Sequence, residues 1–238
     1  MDTQTRRALK GDKFAQAAAS SVTWYSGHRS GVKRWAIAIA VAIVLLLGAI
    51  IFWSVENSAA ASALGAALDI YTAPLRIQGV PAAEQTGSYA TGADRSKAAN
   101  KEFQAVVQKY GWLPEGSKAR YFLGVTYEDM GQNAAAEKEL KAAAGAWNRN
   151  VSNLAKLALA NLYRQTGRDA QAIQIYNELI AKPSETVSAS VAQLDLADLY
   201  ASQGKQDQAR ALWAKVKDSD KQGAAGAIAA QRLSGQQQ

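Results

Sequence analysis

Two hydrophobic patterns divide the chain. The first is an unbroken run: residues 35–53 read WAIAIAVAIVLLLGAIIFW, and no charged residue falls between Arg34 and Glu56. A helix over residues 35–55 would be about 31 Å long at 1.5 Å per residue, matching a hydrocarbon core of about 30 Å. Inside lipid, only a helix lets such a segment satisfy its own backbone. Trp35 at one end, and Phe52 with Trp53 at the other, suit the two aromatic belts of a bilayer. The run therefore predicts an uncleaved transmembrane helix. It is longer than the apolar region of a cleaved leader, although SAAASA at residues 58–63 offers small residues of the kind found at cleavage sites.

The second pattern is periodic. Tyr127, Tyr163 and Tyr200 recur 36 and 37 residues apart, Gly131, Gly167 and Gly204 follow each by four, and Ala136, Ala172 and Ala209 follow the glycines by five. In register with them run Leu123, Leu159 and Leu196, the small Gly124, Ala160 and Ala197, and the bulky Leu140, Tyr176 and Trp213. This period describes one pair of antiparallel helices per unit, stacked into a solenoid. The small residues allow close approach of the paired helices. The glycines supply positive φ where the first helix ends, and Asn133, Asp169 and Asp207 stand where the second begins.

Ala99 and Phe103 continue the register upstream, so residues 97–110 are expected to form the second helix of an earlier unit. Its first helix is expected over residues 58–71, with a long loop over 74–95 between the two. Residues 223–233 predict a capping helix. The expected fold is all-α: a tail over 1–34, a transmembrane helix over 35–55, the first helix and loop of a degenerate repeat over 56–96, repeats over 97–217, and a cap with a frayed tail over 218–238. Only four prolines among 238 residues, in a composition rich in Ala, Leu, Gln and Lys, agree with that class.

Charge adds a direction. The net charge is +7, but Arg6, Arg7, Lys10, Lys13, Arg29, Lys33 and Arg34 all precede the span, opposed there only by Asp2 and Asp12. The first basic residue after the span is Arg76. The positive-inside rule then places residues 1–34 in the cytoplasm and residues 56–238 across the membrane, which in a bacterium means an inner-membrane anchor with a periplasmic domain. Phe14, Val22, Trp24 and Tyr25 interleave with basic residues in the tail but form no helical stripe, so the tail reads chiefly as a topology signal. The tail also lacks a recognised nucleic-acid module, and no nucleic acid is expected as a partner.

Candidate chemistry is sparse. The absence of cysteine and the single His28 remove disulfides, thiolate sites and histidine triads, and no phosphate-cradling glycine motif is present. No catalytic, metal or cofactor residues are expected. The acidic pairs Glu128 with Asp129 and Asp195 with Asp198 read as solvated helix faces.

The small residue, Tyr, Gly, Ala and bulky residue at these relative positions resemble the tetratricopeptide repeat over residues 117–217. Arg120, Lys156 and Gln193 stand where that family places a first-helix Trp, and its terminal proline survives only as Pro183, one place early. The resemblance implies a groove lined by the first helices, carried by Tyr121, Val125 and Glu128, then Leu157, Asn161 and Arg164, then Leu194 and Asp198. Leu157 and Leu194 have helix packing as their alternative role. The basic clamp that some members use for an acidic peptide terminus is not recognisable.

Tail, span and exported repeats together resemble the YfgM-type ancillary SecYEG translocon subunit family. This implies a protein-binding scaffold near the secretion translocon and periplasmic chaperones, with self-association open to it. Alternatives are an envelope or cell-division assembly factor, or, in a eukaryote, a mitochondrial import-type receptor.

Overall fold

The computed structural model describes residues 29–77, 79, 81 and 85–235; the readings made for residues 1–28, including His28 and the tail aromatics, lie outside them. Among the described residues there are nine helices and no strand, only an isolated parallel bridge between Leu75 and Tyr89. The chain divides into two compact units, Met1–Val55 and Glu56–Gln238.

Helix α1, Arg29–Tyr71, holds 43 residues and crosses that division. Residues 54–63 (SVENSAAASA) contain neither Gly nor Pro, so nothing in them stops a helix. Every residue from 34 to 55 is exposed. The segment Arg34–Tyr71 is long and apolar enough to cross a membrane, with mean hydropathy 2.9 in an 18-residue window of which 0% is buried. From Glu56 one stripe, Ala60, Leu64 and Ala67, is buried.

The second unit continues with α2 (Gly92–Tyr110), α3 (Pro114–Asp129), α4 (Asn133–Ala144), α5 (Arg149–Gln165), α6 (Asp169–Ala181), α7 (Ala189–Ser202), α8 (Gln206–Ser219) and α9 (Ala224–Gly235). Helix α2 opens at Gly92, ahead of the Lys97 start that the apolar register suggests, because Thr91 caps it: the Thr91 hydroxyl accepts from the Asp94 N–H at 3.0 Å. Asn148 and Ser188 cap α5 and α7 in the same manner, and Pro114 opens α3.

Hairpins α3–α4, α5–α6 and α7–α8 share one turn. Gly131, Gly167 and Gly204 have φ of 70°, 72° and 75°. The next residue's N–H returns to the repeat tyrosine's carbonyl, Gln132 to Tyr127 at 2.8 Å, Arg168 to Tyr163 at 2.8 Å and Lys205 to Tyr200 at 2.9 Å. A glycine-centred bond of this span is a Schellman closure, which explains the fixed Tyr-to-Gly spacing. Space is open around all three glycines, so their requirement is conformational. Gly124 has a steric one: a Cβ there would lie 2.7 Å from Leu140 Cγ.

Packing then runs hairpin to hairpin. Phe103 stacks on Phe122 at 5.3 Å, with Tyr71 5.8 Å from Phe122, joining α1, α2 and α3. The buried Asn100 donates to Thr126 Oγ1 at 2.9 Å. Between the next two hairpins, Glu137 of α4 accepts from Tyr163 Oη at 3.1 Å, from Arg168 at 2.6 Å and from Lys141 at 2.7 Å. The Arg168 guanidinium also lies 4.3 Å from the Tyr163 ring centroid.

Two outcomes are expected. Gly167→Ala, which places a Cβ in the left-handed region, should cost about 1–2 kcal/mol in urea unfolding, with Gly167→Asn costing less. Glu137→Gln should cost about 1–2 kcal/mol at neutral pH. The bonds from Lys141, then Arg168, hold the Glu137 carboxyl down at about 2 against an ordinary 4.5. Its contribution is therefore complete above 4.5 and lost as pH falls through about 2, so the wild-type and variant stability curves should converge over that window.

Candidate partner-binding face

The groove positions lie on α3, α5 and α7, the first helices of three successive hairpins. Tyr121, Val125 and Leu157 are half-buried and pack on one cluster with Tyr127 and the buried Leu159 and Tyr163. Leu157 also touches the cluster of Leu179, Val187 and Ala192. Leu194 is 8% exposed and packs with Ala197 and Trp213. These apolar members knit neighbouring hairpins together, and Tyr121, Val125 and Leu157 keep part of their surface in solvent.

The polar members follow a rule that the sequence analysis did not anticipate. Asn161 Oδ1 accepts from Tyr176 Oη at 2.6 Å, and Asp198 Oδ1 accepts from Trp213 Nε1 at 3.0 Å. Both pairs are 15 residues apart and occupy equivalent places in consecutive repeats. The same spacing joins Val125 to Leu140 in the preceding repeat, where both side chains are apolar. The bulky residue of each second helix thus dictates what its first helix shows at this position. A 15-residue match of polarity was present in the sequence and could have found these pairs.

Glu128 accepts from Gln165 Nε2 at 2.8 Å, across from α3 to α5. Burial raises its carboxyl above the ordinary value, Gln165 opposes that, and Asp129 adds to it. Asp198 also receives Arg232 of α9 at 3.3 Å. Glu128 and Asp198 are therefore engaged with the fold, a correction to the solvated faces expected of them, whereas Asp129 is exposed and accepts from Ser96 Oγ at 2.8 Å.

Between the pairs lie two charges with spare capacity. Arg164 and Asp195 are half-buried and within electrostatic reach of each other, and neither side chain makes a hydrogen bond among the described residues. Desolvation pushes the Asp195 carboxyl up to about 6 from 3.8, Arg164 opposes the shift, and Asp198 reinforces it. Desolvation also raises the Tyr176 hydroxyl. The face thus offers a guanidinium with unspent donors and a strained carboxylate, flanked by apolar shoulders. Such a surface can hold a polypeptide by hydrogen bonds and contact area. Among the described residues no three His, Cys, Asp or Glu side chains gather to hold a metal. A separate cleft of about 420 Å³ opens between α2, α3 and α4, lined by Arg120, Tyr127 and Lys138 among others.

A family model described as a tetratricopeptide repeat-like domain matches residues 32–234. No curated protein matches the chain.

Ionised Asp195 should destabilise the fold at neutral pH. Its raised carboxyl means that the penalty is absent below about 3.8, grows between 3.8 and 6, and is complete above 6. Asp195→Asn is expected to raise stability by about 1–3 kcal/mol at pH 7 and by nothing near pH 3.5, read from melting curves at both values.

Proposed function

As the chain belongs to the tetratricopeptide repeat-like domain family, whose repeats are generally non-catalytic interaction modules, we propose that it is a membrane-anchored scaffold whose first-helix face holds a segment of a partner protein. The observation that carries this reading is the Arg164 and Asp195 pair: two half-buried charges whose side chains are kept without hydrogen bonds, the carboxylate at a cost to stability, on the face that the repeats present. Charge held against stability is characteristic of surfaces selected for binding. An extended backbone supplies both acceptors for Arg164 and donors for Asp195.

The anchor in this proposal is the apolar part of α1, whose exposed Ile, Val and Leu side chains far exceed what a water-soluble surface carries. An uncleaved span is favoured because Ala60, inside the small-residue stretch 58–63, is buried in the core of the second unit. Cutting there would remove part of a packed helix. With Arg29, Lys33 and Arg34 directly before the span and no basic residue after it until Arg76, the repeats are exported and the tail is cytoplasmic. An exported, tethered repeat domain fits partners that emerge from or act beside a secretion translocon, including periplasmic chaperones, and the tether raises their encounter through local concentration.

A photo-crosslinking residue at Arg164 or Glu128, in the full chain in native membranes, should capture secretion or chaperone components, whereas one at the exposed Gln174 of α6 should not. Charge reversal by Arg164→Glu is expected to lower the yield from Glu128 roughly tenfold, the scale of losing one charge-assisted contact. Equal capture from Gln174, or captured partners confined to cell-wall enzymes, would overturn the secretion assignment.

A further inference from the structure

Helices of the second unit alternate in direction, so its connections fall on two edges. The glycine turns after α3, α5 and α7 form one. The other holds the links into each first helix, residues 111–113, 145–148, 182–188 and 220–223, together with Glu56, where the unit begins. Contacts verify the assignment. Glu56 lies within electrostatic range of Lys109, near the end of α2, while Tyr71 at the far end of α1 sits 5.9 Å from Arg95, near the start of α2. The link before α5 touches the link before α7: Asn150 Nδ2 donates to Glu185 at 3.2 Å, and Thr186 Oγ1 donates to the Asn150 carbonyl at 2.9 Å.

Both strongly exposed tryptophans of the second unit stand on this edge. Trp112 is 56% exposed and Trp147 is 106% exposed. Lys109 precedes the first by three residues, Arg149 follows the second by two, and Lys182 lies on the adjoining link. Trp147 packs on nothing, so it adds no stability to the fold, and an indole beside cationic side chains is the composition that settles at a bilayer interface. The glycine-turn edge offers a contrast. Its exposed residues include Gln132, Asn133 and Asp207, with no tryptophan.

Covalent connection selects the occupant. Glu56 follows Val55, the last residue of the apolar run, by one peptide bond, so the edge that carries the tryptophans begins where the chain leaves the lipid. We infer that this edge docks on the membrane surface, with Trp112 and Trp147 in the headgroup region and Lys109, Arg149 and Lys182 against anionic lipid phosphates. The inference rests on the membrane-anchor reading above.

The chain lacks cysteine, so single labels report cleanly. Full-length chain carrying Ala146→Cys, Gln132→Cys or Leu45→Cys would be labelled with an environment-sensitive fluorophore and reconstituted into nanodiscs of anionic lipid containing headgroup-level and mid-chain spin labels. The Leu45 label tests the anchor and should be quenched from the mid-chain position. The Ala146 label should be quenched by headgroup-level spins at least roughly threefold more than the Gln132 label, and Trp112→Ala with Trp147→Ala should abolish that excess without lowering the melting temperature of the repeats by more than a few degrees. Quenching at Leu45 with equal signals at Ala146 and Gln132 overturns docking and leaves the anchor standing. No quenching at Leu45 overturns the anchor and the docking with it. An Ala146 label shielded from water but untouched by lipid spins means that a second copy of the chain covers the edge, and also overturns docking.

Discussion

The second unit depends on one close contact repeated along its length, where a small residue of one helix meets a large residue of its partner. Ala99, Ala136, Ala172 and Ala209 are all 0% exposed, as are Ala160 and Ala197 on the facing helices, and Gly124 leaves no room for a methyl group beside Leu140. At such crossings two backbones approach closely enough for the bulky Leu140, Tyr176 and Trp213 to be wholly enclosed. Most of the stability of such helices comes from packing an apolar face, so each hairpin borrows its stability from its neighbours. Glu137 with Tyr163 and Arg168, and Asp169 with Gln203 at 2.7 Å, lie at these hairpin junctions.

The same contact shapes the binding face. Because the bulky residue of the second helix is fixed in place, its far end reaches the first helix 15 residues earlier. Where that end is a phenol it meets Asn161, where it is an indole it meets Asp198, and where the bulky residue is the aliphatic Leu140 the position 15 residues earlier is the apolar Val125. The face therefore grades from apolar at α3 to acidic at α7, although the three repeats share one backbone plan. Divergence at one buried position rewrites chemistry at one exposed position. Arg164 and Asp195 escape this pairing, which is why they keep hydrogen-bonding capacity while the neighbouring polar groups have spent theirs.

Features that depend on neighbours in sequence were legible before the structure. The Tyr-to-Gly spacing is local, because a Schellman closure spans six residues, and the small-residue crossings recur at the period of the hairpin. The start of α2 was missed by five residues because the apolar register begins at Ala99, whereas the helix is initiated by the Thr91 cap, a polar signal outside the stripe. Reading Asp198 and Glu128 as solvated faces failed for a different reason. Their surroundings are built by residues 15 to 37 positions away, Trp213, Arg232 and Gln165, which no single-helix pattern contains. The staple on Glu137 was equally hidden, since Arg168 sits beyond the following first helix.

Helix α1 meets two demands with one backbone. Over residues 35–53 its side chains are apolar all round, as suits a helix surrounded by hydrocarbon, and from Glu56 burial is confined to the Ala60, Leu64 and Ala67 stripe, as suits a helix with one face on a protein core. The changeover contains no Gly or Pro, so helical hydrogen bonding continues through it. The consequence is energetic coupling. Residues 60–67 enter the core of the second unit, and Tyr71 completes the aromatic group with Phe103 and Phe122. Removing the apolar run by cleavage near residues 58–63 would take Ala60 from that core and fray the helix that positions Tyr71. Since each hairpin is stabilised by the one before it, the loss would fall on the end of the stack where propagation begins. The small-residue stretch is in this sense part of the second unit's core, and a chain cut within it loses that part.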